Sequence, residues 1–178
     1  MDLSLRCVVM VGMAFLAPAC ASTPTPPVKA AEAEQLDCGN GMTPQEEARL
    51  VEGVSVLRSD PLYLDVNAGR DGLEHRVNGA RIVVLPPPAA TTEHMTRALR
   101  CHSAQAVLGQ TDESRFPNDP YWLANSWLEI KVVDATGPYA GNYLVLVSAD
   151  NIDKNLQVLA RANAFADAHA STPQPASD

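Results

Sequence analysis

Positive charge is scarce in this chain. Lys and Arg number 13 against 21 Asp and Glu, a formal net charge of −8, and the only lysines are Lys29, Lys131 and Lys154. That leaves no basic footprint for a phosphate backbone and excludes nucleic acid as an expected partner. A basic amphipathic helix for an anionic lipid surface is missing as well. Aromatic residues make up 5% of the chain, so its few large rings are needed first as bulk for the core. The sequence holds no Gly-x-Ser-x-Gly, no His-Glu-x-x-His, no phosphate-cradling glycine loop and no calcium loop, and no enzyme is expected. Its apolar run Val8–Leu16 is too short to cross a bilayer as a helix.

That run reads instead as the core of a cleaved signal, with Arg6 ahead of it and small residues behind. It ends in Ala17-Pro18-Ala19-Cys20 and resembles a bacterial lipoprotein signal, in which a Cys after small residues is cut and acylated. The resemblance implies a signal peptide over 1–19, a palmitate-type lipid on Cys20, and a membrane anchor through it. Ala21 is not the Asp that retains such lipoproteins at the inner membrane, which implies an outer-membrane lipoprotein facing the periplasm. The alternative is ordinary cleavage at Ala17-x-Ala19 or Ala19-x-Ala21, giving a soluble periplasmic or secreted protein. Both routes lead out of the cytoplasm.

Ser22 to Leu36 holds three prolines and two threonines with hardly any large apolar side chain. The expectation is an extended spacer, so 20–40 reads as a lipidated Cys and Pro/Thr-rich linker. One globular domain is expected over 41–169, and an unstructured tail over 170–178. Cys7 leaves with the signal and Cys20 takes the lipid, so Cys38 and Cys101 remain. In an oxidising compartment such a pair is expected to bond. Closing that loop of some sixty residues stabilises the fold by about 4 kcal/mol.

Thr43-Pro44-Gln45-Glu46 has the form of a capping box, and Leu50, Val51, Val54 and Leu57 follow at helical spacing up to a stop at Asp60-Pro61. Short strands are expected at Leu62–Val66, at Leu73–Val77 and, after a turn at Asn78-Gly79, at Ala80–Leu85. A second helix runs from Thr92 to Leu108, capped by Thr91 or Thr92 and stopped by Gly109, with Met95, Ala98, Leu99 and Ala106 on its apolar face. Trp127 to Val133 alternates, and Tyr143 to Val147 is apolar on both faces, which predicts a hairpin with an interior second strand. A final helix would present Ile152, Leu156, Leu159 and Asn163 on one side. This order predicts an α+β two-layer sandwich, an antiparallel sheet with helices on one face, with ferredoxin-like wiring as one arrangement.

Gly79-Ala-Arg-Ile-Val-Val, the Pro-rich turn, Thr92-Glu93, Leu99-Arg-Cys101-His102-Ser-Ala104 and Leu108-Gly109 together resemble a family of secreted proteins and lipoproteins of Gram-negative bacteria. The Cys-His pair is the most specific element. The resemblance implies an envelope location and brings no activity with it. That family commonly carries a further Cys after this helix; here the loop Gln110–Asn125 has none, which leaves Cys38 as the partner of Cys101.

Among candidate side chains, His102 falls in the buried stripe of the second helix, as a core histidine or as a ligand or base. His94, Cys101 and His102 are the candidate ligand or soft-metal set, weighed against a disulfide that would consume the thiol. Asp112, Glu113, Asp119 and Glu129 are scattered and read as solvated. Tyr121, Trp122, Trp127 and Tyr139 are a candidate contact surface, or else rings pinning loops to the core. No cofactor and no resident metal are expected. The sequence thus reads as a non-catalytic, envelope-anchored lipoprotein that binds or supports another envelope component, through its lipid and an envelope protein partner. The alternative is a secreted module binding a small ligand or metal near His102. Oligomeric state is left open.

Overall fold

The computed structural model describes residues 25–39, 43–67, 73–110, 117–123 and 125–170. Helix α1 spans Pro26–Cys38, and α2 spans Pro44–Glu47 and continues as a π-helical turn, Ala48–Glu52. Strands β1 (Val56–Asn67) and β2 (Leu73–Val84) follow, then α3 (Thr92–Val107), β3 (Leu128–Asp134), β4 (Tyr143–Ala149) and α4 (Asn155–Ala168). The four strands form one antiparallel sheet in the order β1-β2-β4-β3. Helices α3 and α4 cover one face, so the fold is the α+β two-layer sandwich. From β2 onward the wiring is a split β-α-β, as in a ferredoxin-like sheet. The fourth position is filled by β1, which precedes this unit in the chain.

Alternation builds the core. Ala80, Ile82 and Val84 of β2, Leu128, Ile130 and Val132 of β3, and Val145, Val147 and Ala149 of β4 all face the helices. Met95 and Leu99 of α3 and Val158, Ala162 and Phe165 of α4 close over them. The capping box forms as expected: the Glu46 amide donates to Thr43 Oγ1 at 3.2 Å and the Thr43 amide to Glu46 Oε2 at 3.1 Å. Thr91 caps α3 by accepting from the His94 amide.

Several expectations change. The spacer reading of 22–36 gives way from Pro26 onward to α1. Its two prolines sit in the first turn, where no N–H is needed, and Lys29 to Gln35 are mostly good helix formers. What secures α1 is long-range. Ala31, Glu34 and Cys38 are buried, Glu34 takes Arg100 Nη2 at 2.6 Å, Arg97 donates to the Asp37 carbonyl at 2.6 Å, and Cys38 bonds Cys101 across 63 residues. The described fold therefore starts before residue 41. Residues 1–24 and 171–178, with the signal, Cys20 and most of the expected tail, lie outside the described residues; Ala170 itself bridges Val56 in parallel.

The first predicted helix stops at Gly53, whose amide reaches Ala48 O at 2.7 Å, and Leu57 belongs to β1. Pro61 lies within β1, an edge strand, where a missing donor is tolerated. Asn78-Gly79 is a bulge inside β2 and not a turn: Pro61 pairs Ala80, whereas Tyr63 pairs Val77. At Gly79 φ is +125°, and a Cβ would stand 1.9 Å from the Val147 carbonyl oxygen. On α4 the buried stripe is Asn155, Val158, Ala162 and Phe165; Ile152 and Leu156 are exposed. Asn155 is drawn inward because its Oδ1 accepts the Ala149 amide at 2.7 Å and its Nδ2 donates to Asn78 Oδ1 at 3.2 Å.

Gly79→Ala is expected to destabilise by about 3 kcal/mol or more, since a Cβ there meets β4 backbone. Urea unfolding measures it, and an unchanged midpoint would contradict the bulge geometry.

Candidate functional site

The most concentrated polar chemistry lies where α3 meets the α2 turn and the loop before β3. His102 is on the third turn of α3 and is fully buried. Its Nδ1 lies 3.0 Å from Glu47 Oε1 and its Nε2 lies 2.6 Å from Asp119 Oδ2. Asp119 is itself fixed by the Tyr121 amide, which donates to Oδ1 at 2.7 Å. Each partner has a local reason to be there. The capping box starts α2 so that Glu47 falls one turn in, and the Asn118–Tyr121 turn wraps its backbone around the Asp119 carboxylate.

Burial pushes the His102 imidazole down, but hydrogen bonds to Asp119 and Glu47 and the charge of both carboxylates outweigh it, and its pKa is raised to about 9. The ring is thus an imidazolium donating through both nitrogens. Tyr121, also fully buried, has its hydroxyl pushed well above the ordinary phenol value by burial first and by the Asp119 charge second. Such a histidine offers no lone pair to a proton or a metal. Ser103 Oγ is buried without a hydrogen bond, and it occupies the adjacent helical position, so it forms no pair with His102.

The other sequence candidates scatter. Cys101 is consumed by the bond to Cys38, and His94 sits at the mouth of α3, 3.7 Å from Glu46 Oε1. His94, Cys101 and His102 are therefore not brought together as a ligand set. Among the described residues no group of three or more His, Cys, Asp or Glu is placed to hold a metal ion. Tyr121 and Trp122 do not form a contact surface: both are buried, Tyr121 edge-on to Phe165 and Trp122 beneath the Arg161 guanidinium. Trp127 is half-buried, and Tyr139 lies half-buried on the opposite side of the sheet, in the hairpin tip. Asp119 is not solvated but is the second partner of His102, while Glu129 is exposed on β3. Asp112 and Glu113 lie outside the described residues.

Glu47 was missed as a partner because it reads as a surface carboxylate in a helix's first turn. The available signal was weak: a buried charge-capable His on α3 requires a counter-charge, and Asp119 stands in the loop that must return across it. No protein-family model, curated protein or solved structure matches the chain.

The pH dependence follows from the sign of the His102 shift. A proton bound more tightly in the folded state stabilises it fully below the unfolded value near 6.5, and that stabilisation is lost as pH rises through about 9. Unfolding free energy should fall by about 3 kcal/mol between pH 6.5 and 9.5, at about 1.4 kcal/mol per pH unit separating the two values. His102→Gln should be less stable at pH 6.5 and lose most of this slope. Denaturant unfolding across the range checks both; a flat profile for the native chain would contradict the charged triad.

Proposed function

We propose that this chain is an envelope-anchored lipoprotein whose domain binds or supports another envelope component and performs no chemistry. The observation that carries the reading is the closed state of Glu47–His102–Asp119. The strongest titratable cluster of the described fold has both imidazole nitrogens engaged and no exposed atom on the ring, which fits a structural role. The Cys38–Cys101 disulfide supports an oxidising compartment, as the signal ending at Cys20 does. The envelope family whose strand and Cys-His helix this chain resembles supports the same address.

Helix α1 changes what the anchor does. Only five residues, 21–25, separate Cys20 from the helix start at Pro26. Fully extended, such a stretch reaches about 20 Å. A lipid on Cys20 would hold the domain close over the bilayer, so a partner would be met at the membrane surface and not across the envelope. No helix among the described residues is long and apolar enough to cross a membrane.

Labelled palmitate fed to expressing bacteria tests the anchor. The native chain should take up label and sediment with membranes, whereas Cys20→Ser should carry none and appear in the soluble exported fraction. An unlabelled native chain in the soluble fraction would overturn the lipoprotein reading and leave simple secretion.

A further inference from the structure

The sheet has one face covered by helices, and on the other the hairpin tip between β3 and β4 curls back toward β1. Arg58, Asp60 and Arg81 alternate with core-facing Ser59, Ala80 and Ile82, so they project from the side that no described helix covers. Tyr139, in the tip turn Gly137–Tyr139, comes within 3.4 Å of Arg58 Nη1 through its hydroxyl. Between tip and strands lies a cleft of about 450 Å3, lined among others by Arg58, Asp60, Tyr63, Arg81, Pro138 and Tyr139. That size lies within the roughly 300–1,000 Å3 of small-ligand clefts.

We propose that this cleft binds a carboxylate-bearing sugar. It rests on the binding role proposed above and gives that role a ligand class. The charge argues for an anion. In a chain of net −8, two guanidiniums here face one carboxylate. Asp60 lies across from Arg81 in the register, yet its Oδ2 is taken by Arg58 Nε at 2.6 Å, and Arg81 makes no ion pair among the described residues. The Arg58 guanidinium is oriented by Asp60 and Tyr139 before any ligand arrives, and those same contacts hold its pKa above the ordinary value. Arg81 is the remaining fork, matched to the planar geometry of a carboxylate.

The rim argues for a sugar ring. Tyr63 is 56% exposed, far more than a packing role requires, and with Pro138 and Tyr139 it supplies flat apolar surface for the C–H face of a pyranose. Sugar hydroxyls donate as well as accept, and the cleft offers both kinds of partner: the Asp60 carboxylate accepts, the arginines donate, and the Tyr139 hydroxyl does either.

The test is an NMR amide titration of the full chain, disulfide intact, with sodium glucuronate, glucose and sodium acetate as probes. Glucuronate should give saturable shifts centred on Arg58, Tyr63, Arg81 and Tyr139, with glucose and acetate each at least about tenfold weaker, as expected when a charge-assisted contact or the ring contact is removed. Arg81→Gln touches no ion pair among the described residues and should keep the remaining spectrum while losing at least about tenfold in glucuronate affinity. No saturable shift with glucuronate, acetate binding as tightly as glucuronate, or an unaffected Arg81→Gln would each overturn the proposal. The result is separable from the anchor. Palmitate labelling without glucuronate binding removes the sugar site alone, and glucuronate binding without palmitate removes the anchor alone.

Discussion

A buried imidazolium held between two carboxylates ties together the parts of this domain that the strand pairing does not reach. The sheet orders β1 to β4 through backbone pairing, and α3 and α4 pack on it through aliphatic side chains. The α2 turn and the loop entering β3 have no such ladder. Glu47 and Asp119 fix both of them to His102 on α3, from opposite ring nitrogens. One charge without its partners would be costly in that setting, so removing either carboxylate harms more than the single contact suggests. The same arrangement explains why the residue that looks most reactive in the sequence is chemically closed.

The second long-range constraint is covalent. Cys38–Cys101 fastens α1 to the same α3 helix, one turn along α1 from where Glu34 meets Arg100, the residue beside Cys101. Helix α3 is thus a hub: α1 on one flank by disulfide and ion pair, the sheet beneath it, and the charged triad at its third turn. The face that no described helix covers, with Arg58, Arg81, Tyr63 and Tyr139, is not used for this purpose.

Much of the fold was legible in local pattern. The capping box at Thr43–Glu46, the Thr91 cap, the alternation of β3 and the interior position of β4 follow directly from residue type and spacing. The misreadings share one cause: each depended on a partner distant in sequence. Helix α1 lacks an apolar stripe and is secured by a disulfide and arginines sixty residues away. Asn78-Gly79 has the composition of a turn, yet the approach of β4 backbone makes it a bulge. On α4 Leu156 is exposed and Leu159 packs on the core only in part, because Asn155 is pulled inward to close the end of β4. At the site, His102 was visible as a buried histidine, while the roles of Glu47 and Asp119 appear only when three separate segments meet. Arg81 carries no sequence signal at all; its significance lies in Asp60 being taken by Arg58.

The junction of α3, the α2 turn and the loop before β3 turns on the protonation state of one ring. Nitrogen-15 NMR of His102, followed from pH 5 to 10 in the folded chain, reads it directly. Both ring nitrogens should carry protons through neutral pH, with a midpoint near 9. A ring that is neutral at pH 7, with one nitrogen free, would contradict the structural reading and return His102 to the list of reactive groups.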